Sequence, residues 1–213
     1  MVEFKLAIII PAFNEAKTIG KVVSDALLYG QPIVVDDASQ DETSSIASNK
    51  GAIIVQHPFN QGYDAALHSG FSKAQLLNFT HVLSLDADGQ HDASYIKEYA
   101  SKLQEGYDIV LGIRPKKARF AEVLFGLYTL LLYRISDPLC GMKAYNLSIY
   151  KQPMSFSTYP SIGTELMLYA LKNNKKYAQI PIPLRERLDA PRFASAFKAN
   201  VLILRALLYA ILT

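Results

Sequence analysis

Short apolar runs alternate with segments of helical period through the first 111 residues, and that rhythm restricts the chain to few architectures. Phe4–Ile10 reads as a strand ended by Pro11, and Ala16–Leu28 as an amphipathic helix with Ile19, Val22, Val23, Ala26 and Leu27 on one face. Ile33–Val35 and Ala52–Val55 are further strands, separated by a polar turn and a helix near Glu42–Asn49. A helix from about Gly62 to Leu77 leads to the strand before Asp86, and a helix over Ala93–Leu103 precedes a strand at Asp108–Leu111. This order predicts βαβ units, hence an α/β fold with a mostly parallel sheet flanked by helices. Ligands of such sheets lie beyond the carboxyl ends of the strands.

Polar residues gather at those ends. The first strand runs into Pro11-Ala12-Phe13-Asn14-Glu15, a rigid turn followed by polar groups at a helix start. The second runs into Asp36-Asp37-Ala38-Ser39-Gln40-Asp41, where the carboxylates can bind a base or ribose, or Ser39 and Asp41 can simply cap a helix. The fourth gives Val82-Leu83-Ser84-Leu85-Asp86-Ala87-Asp88-Gly89-Gln90-His91-Asp92. Alternate residues of an extended strand point the same way, so Asp86 and Asp88 can face one point just past its end. Like charges held that close repel unless a cation separates them. Hard oxygen ligands suit Mg²⁺ or Mn²⁺, with water and substrate phosphates completing the shell. A plain surface turn fits the same residues; three acidic strand ends on one edge favour a site.

At 213 residues, 50% apolar and 19% charged, the chain suffices for one domain with its own core. The single cysteine, Cys140, excludes an intramolecular disulfide and fits a reducing compartment. Met1-Val2-Glu3-Phe4-Lys5 lacks the basic, apolar, small-residue order of a signal peptide. Net charge of +3 conceals an asymmetry: residues 1–110 carry 14 acidic and 7 basic side chains, residues 111–213 carry 5 and 15. An acidic half able to hold a cation adjoins a basic half able to hold phosphates or anionic lipid headgroups. Without zinc-finger spacing or an RNP-like run, nucleic acid is not an expected partner.

Beyond residue 111 the rhythm changes. Gly112–Arg119 is a basic loop, Phe120–Ile135 an apolar helix bounded by Arg119 and Arg134, and Asp137–Lys143 a turn headed by a carboxylate. Gly163–Leu171 reads as a helix containing Glu165, and Lys176–Leu184 as an edge strand marked by Pro181 and Pro183. Arg185, Arg187 and Arg192 precede an apolar helix from about Phe193 to Thr213. Arg205 interrupts Val201–Leu212, and Val123–Tyr133 is too short to cross a bilayer. Each apolar helix is therefore either a core helix or one lying in a membrane interface. The expected organisation is a domain over residues 1–190 and a C-terminal apolar or amphipathic helix over 191–213.

Pro11-Ala12-Phe13-Asn14-Glu15, Val35-Asp36-Asp37-Ala38-Ser39-Gln40-Asp41-Glu42-Thr43 and Asp86-Ala87-Asp88-Gly89-Gln90-His91 occur in an order that resembles the family 2 glycosyltransferases of the GT-A fold. The likeness spans roughly residues 4–190 and is greatest to the dolichyl- and polyprenyl-phosphate sugar transferases. It implies a Rossmann-like, nucleotide-diphospho-sugar transferase sheet. The donor, a UDP- or GDP-sugar, would be bound by Pro11, Asn14, Glu15, Asp36, Asp37 and Asp86. Mg²⁺ or Mn²⁺ would be held by Asp86, Asp88 and Gln90. Arg114 matches the arginine of the family's G-S-R segment, with Ile113 in place of the serine. Asp137-Pro138-Leu139-Cys140-Gly141 resembles the D-P-x-S-G stretch near the acceptor, with Cys140 at the usual serine. Arg187 and Ser195 resemble the late R…S motif, although Leu188-Asp189-Ala190-Pro191 departs from its glycine-containing pattern.

The resemblance thus implies Arg114, Cys140, Arg187 and Ser195 as acceptor contacts, and Asp137, Arg114 and Arg187 as catalytic residues. The expected reaction is a metal-dependent, inverting transfer to a polyprenyl-phosphate-like acceptor by a protein peripheral to the cytosolic face of a membrane. Arginines would stabilise phosphate oxygens. An anionic phosphate acceptor needs no strong base, whereas a sugar hydroxyl does, and Asp137 is then the candidate. Transfer to a saccharide hydroxyl of a glycan, or a non-catalytic nucleotide-sugar-binding scaffold, are the alternatives. The chain has no tryptophan and so lacks the Q-x-x-R-W motif of processive synthases, which argues for single transfers.

Overall fold

The computed structural model describes residues 3–115, 119–150, 161, 163–183, 185 and 196–212. Seven strands, β1 (Leu6–Ala12), β2 (Gln31–Asp36), β3 (Ile53–Gln56), β4 (His81–Ser84), β5 (Ile109–Ile113), β6 (Lys143–Asn146) and β7 (Tyr177–Pro181), form one sheet ordered β3-β2-β1-β4-β6-β5-β7. Neighbours run parallel except at β6, which is antiparallel to both β4 and β5. The helices are α1 (Ile19–Ala26), α2 (Thr43–Asn49), α3 (Tyr63–Leu76), α4 (Ile96–Gln104), α5 (Phe120–Tyr133), α6 (Glu165–Lys172) and α7 (Ala196–Leu212).

The sheet is covered on both faces, which is why its central strands read as unbroken apolar runs. On one face Leu6, Ile8 and Ile10 of β1 share a core with Val22 and Val23 of α1, Ala47 of α2 and Tyr99 of α4. On the other, Ala7 and Ile9 share a core with Phe71 of α3, Phe125 of α5 and Met167 of α6. Each fully buried Ile, Val or Phe contributes roughly 1.5–3 kcal/mol, so both faces are needed to fix the strand ends that carry the polar loops.

Three local readings change. Pro11 does not end the first strand but pairs with Val35 inside it. Leu85 donates its N–H to the Ile9 carbonyl and Asp37 its N–H to that of Ala12, so odd-numbered residues face β4 and even-numbered ones β2. Pro11 therefore points its missing N–H to the side where β4 has already stopped, and no ladder bond is lost. Second, Lys143, read as the end of a turn, begins the inserted strand β6. Third, β4 ends at Ser84, so Asp86 and Asp88 lie in the turn that follows and not on an extended strand. The expectation of an edge strand holds: among the described residues β7 pairs only with β5.

Helix α7 buries Ala199, Ile203, Ala206 and Ala210, one stripe at helical spacing, and the last three join the core it shares with α5. Asn200 Oδ1 accepts the Ala121 N–H at 3.1 Å, and the Tyr128 hydroxyl donates to the Ala210 carbonyl at 2.8 Å. The outward faces of both helices are apolar too, with Phe120, Leu131, Phe197 and Leu212 each more than 70% exposed. Among the described residues, no helix is long and apolar enough to cross a membrane.

Candidate active site

The carboxyl ends of β1, β2 and β3 open on a groove of about 740 Å³, lined among others by Phe13, Gln40, His57 and Phe59. Its loops are bound to one another. Asn14 adopts a left-handed backbone (φ +56°), a conformation asparagine tolerates. Its N–H donates to Ser39 Oγ at 2.8 Å, and its Oδ1 accepts the Gln40 N–H at 2.8 Å. Glu15 donates its N–H to Thr43 Oγ1 at 2.7 Å, and Asp36 Oδ1 accepts the Ser39 N–H at 3.0 Å. Buried Asp37 accepts the N–H groups of Gln61 and Gly62, each at 2.8 Å, and lies 2.7 Å from His57 Nδ1. Asn14, Glu15, Asp36 and Asp37 therefore brace the loops, with Pro11 in the strand before them. The groove surface itself comes from their neighbours, of which Phe13, Gln40 and Phe59 are exposed.

Beside this groove lies the Asp86–Gln90 turn, which reverses at Gly89 (φ +74°). Asp88 Oδ1 accepts the Gln90 N–H at 3.0 Å, and Gln90 Nε2 donates to the Arg185 carbonyl at 3.3 Å. Asp86 is held from two sides: His91 Nε2 lies 3.2 Å from Oδ2, and the Tyr63 hydroxyl donates to Oδ1 at 3.4 Å. Burial pushes the Asp86 carboxyl up, but His91, Arg114 and Tyr63 together bring it below the usual carboxylate range. Among the described residues no cluster of three or more His, Cys, Asp or Glu side chains is placed to hold a metal. Two carboxylates and an amide oxygen are nonetheless a hard, incomplete donor set, which suits a cation that keeps water and phosphate ligands.

Across the turn stands a charged network. Arg114, directly after β5, donates Nε to Asp137 Oδ2 at 2.7 Å and Nη2 to Asp137 Oδ1 at 2.8 Å, and its backbone N–H reaches Oδ2 at 3.0 Å. Nη2 also lies 3.3 Å from Glu122 Oε2, whose other oxygen accepts from Arg119 Nη1 at 2.8 Å. Burial raises the Asp137 carboxyl, and the Arg114 guanidinium outweighs it, holding the group below the ordinary range. Arg114 is in turn raised above its usual value: burial alone would lower it, and Asp137 more than reverses that. Asp137 thus anchors Arg114 in this structure. Cys140 departs from expectation. It is fully buried against Gly112, and burial pushes its thiol up to about 12, so it packs the core and does not reach an acceptor. Arg187 and Ser195 lie outside the described residues.

The sequence reading passed over Tyr63, His91 and Lys143 as site residues. Lys143 is buried, donates Nζ to the Gly163 carbonyl at 2.9 Å, and is lowered by burial to about 8 despite Cys140, Asp137 and Asp86 nearby. His91 stood in view inside the Asp86–Asp92 run. Lys143 likewise stood in the Asp137–Lys143 turn, whereas Tyr63 gave no such signal, because it meets Asp86 across 23 residues of chain.

Residues 7–125 match the family described as glycosyl transferase family 2. The chain belongs to that family. Among its relatives, a dolichyl-phosphate hexose transferase of Haloferax volcanii is 27% identical over 85% of this chain and 83% of its own length. A UDP-N-acetylglucosamine–dolichyl-phosphate N-acetylglucosaminyltransferase of Methanococcus voltae is 25% identical over 85% of this chain and 86% of its own. Glucosyl-3-phosphoglycerate synthase of Mycobacterium tuberculosis, solved with Mg²⁺ and UDP, superposes with a TM-score of 0.77 over 98% of this chain and 78% of that one, at 18% identity. The same synthase has been solved with Mn²⁺ and UDP-glucose. That likeness establishes the fold, GT-A. This family 2 glycosyltransferase is therefore an enzyme whose strand-end groove, acidic turn and arginine network share one edge of a GT-A sheet.

Proposed function

We propose that this family 2 glycosyltransferase moves a sugar from a nucleotide-sugar to a polyprenyl-phosphate-like acceptor, with inversion and with a divalent metal ion. The observation that carries this reading is the Arg114–Asp137 pair, bidentate at 2.7 and 2.8 Å. It presents a fixed cation to the acceptor side and leaves Asp137 unavailable as a base. A hydroxyl acceptor must lose a proton, whereas a phosphate oxygen is already an anionic nucleophile. The groove of about 740 Å³ has the size of a small-molecule site, and Phe13 and Phe59 give it apolar walls for a base. Asp86, Asp88 and Gln90 would hold Mg²⁺ or Mn²⁺, which when bound supplies Lewis-acid stabilisation to a leaving nucleoside diphosphate. Tyr63 and His91 keep Asp86 oriented for that task. The acceptor oxygen bonds to the anomeric carbon as the sugar–diphosphate bond breaks on the opposite face, and the guanidinium of Arg114 offsets phosphate charge.

Two relatives whose names contain dolichyl-phosphate support the lipid acceptor. The outward apolar faces of α5 and α7, with exposed Arg134, Lys198 and Arg205, suit peripheral docking on an anionic lipid surface at the cytosolic side. The test is incubation with UDP- and GDP-sugars and Mn²⁺, offering a polyprenyl phosphate or a saccharide. Labelled product with the phosphate lipid is expected. Product with saccharides alone would overturn the reading.

A further inference from the structure

His57 directly follows β3, and Pro58, Phe59 and Asn60 after it line the strand-end groove. Both ends of this short loop are tied to one carboxylate. Asp37 Oδ1 lies 2.7 Å from His57 Nδ1 and accepts the Gln61 N–H at 2.8 Å, while Oδ2 accepts the Gly62 N–H at 2.8 Å. The far side of the buried His57 ring is held as well: Nε2 lies 2.8 Å from Ser69 Oγ. A hydroxyl can donate or accept, so this contact requires no particular charge on the ring. Ser69 is itself fixed, because α3 meets β1 at the next residue, where a β-carbon on Gly70 would lie 2.2 Å from Ile9 Cγ2.

Ser69, His57 and Asp37 have the connectivity of a nucleophile, a base and its orienting acid. Ser69 lies midway along α3, however, and the backbone N–H groups around it are spent within the helix, so they cannot receive an oxyanion. The set is instead a relay that carries the position of α3 to the loop. Phe59, in the middle of that loop, is 66% exposed and offers an aromatic face to a ligand. A base gains affinity by stacking on such a face, and gains more when the face is held in place beforehand. We infer, taking the groove as the donor site, that Ser69 is a positioning residue for the nucleoside: through His57 it holds the Phe59 wall on which the base stacks.

UDP and GDP, with Mn²⁺ present, are titrated calorimetrically into the full chain and its variants. Ser69→Ala keeps a good helix former in α3 and should weaken whichever nucleotide binds by about three- to tenfold, the worth of one net hydrogen bond. Ser69→Thr, which retains the hydroxyl, should recover most of that loss. Phe59→Ala should cost about fivefold or more, because a stacking face is removed. In the Phe59→Ala background, Ser69→Ala should change affinity by no more than about twofold, since the wall it steadies is gone. Unaltered affinity in Ser69→Ala or in Phe59→Ala, a threonine variant as weak as the alanine one, or equal losses with and without Phe59 overturns the role given to Ser69. Wild type that binds neither nucleotide overturns the donor reading and this role with it, so the two failures are told apart by the wild-type titration alone.

Discussion

A β-carbon built on Gly141 would lie 2.2 Å from Oδ2 of Asp86. The turn that begins at Asp137 is therefore packed directly against the first carboxylate of the acidic loop. Ser84, the last residue of β4, fixes the approach by donating its hydroxyl to the Gly141 carbonyl at 2.7 Å. The acidic turn and the Asp137–Gly141 turn meet at this contact, where a β-carbon would collide with the Asp86 carboxylate.

Gly141→Ala should accordingly displace the Asp86 carboxylate without opening the core. Misplacement of a reacting group by about 1 Å can cost on the order of a hundredfold in rate, and a comparable loss of Mn²⁺ affinity is expected. The melting temperature should fall by no more than about 4 °C, the effect of roughly 1 kcal/mol in a chain this long. Calorimetric Mn²⁺ titration beside a melt checks both. Retained metal affinity would show that Asp86 tolerates the shift.

Asp137→Asn separates an anchor from a base. The Asp137 side chain is 1% exposed and that of Arg114 14%, so removing the carboxylate charge leaves a mostly buried guanidinium with Glu122 as its ion-pair partner among the described residues. Breaking such a pair costs about 3 kcal/mol or more, a drop of roughly 6–12 °C in melting temperature. The folded Asp137 carboxyl titrates below its unfolded value. Its stabilisation is thus complete above the unfolded value of about 4 and lost as pH falls through the folded one. Wild type should lose stability faster than Asp137→Asn below about pH 4. A catalytic base would instead lower kcat and leave the melt unchanged.

Lys143 makes the opposite excursion. Its folded value, about 8, is below the usual 10.5, so the unfolded chain holds the proton longer between those limits. Stability should rise with pH across that interval by up to about 3 kcal/mol, while below pH 8 the full cost of burying the charge persists. In Lys143→Met the rise should vanish. Urea melts of both proteins at pH 8 and pH 10 test this, and parallel changes would place the amine in contact with solvent.

Burial on both faces makes β1, β2, β4 and β5 apolar runs bounded by turn residues, and Ile53–Val55 of the partly buried edge strand β3 is apolar as well, so all five were legible. The strand Lys143–Asn146 was not. It opens on a lysine, closes on an asparagine, and is held between β4 and β5 by long-range antiparallel pairing. At the site, the acidic strand ends could be read directly, while their roles could not. Asp37 is committed to Gln61, Gly62 and His57, Asp137 to Arg114, and Asp86 to His91 and Tyr63. All of these except the local Asp86–His91 contact depend on which loops the sheet order brings together, and local spacing does not encode that order.

The two apolar helices illustrate the same limit and give the last prediction. Periodicity allows either a core or an interfacial helix; each packs one face into the core, and the outward face of each is exposed and apolar. Ala199, Ile203, Ala206 and Ala210 of α7 are buried, so deleting that helix would open the core and test nothing about lipid. Leu131 and Leu208 are 75% and 58% exposed, one on each helix, and replacing them touches only the outward face. Leu131→Glu with Leu208→Glu removes two leucines worth roughly 1.5–3 kcal/mol each on insertion into an apolar phase. Partition onto vesicles containing anionic lipid should fall at least about a hundredfold, with the melting temperature nearly unchanged because exposed positions seldom cost more than about 0.5 kcal/mol. Residual binding should weaken further with salt, as Arg134, Lys198 and Arg205 are screened from the headgroups. Vesicle flotation of wild type and the double variant decides the matter: equal flotation would mean that these faces do not meet lipid.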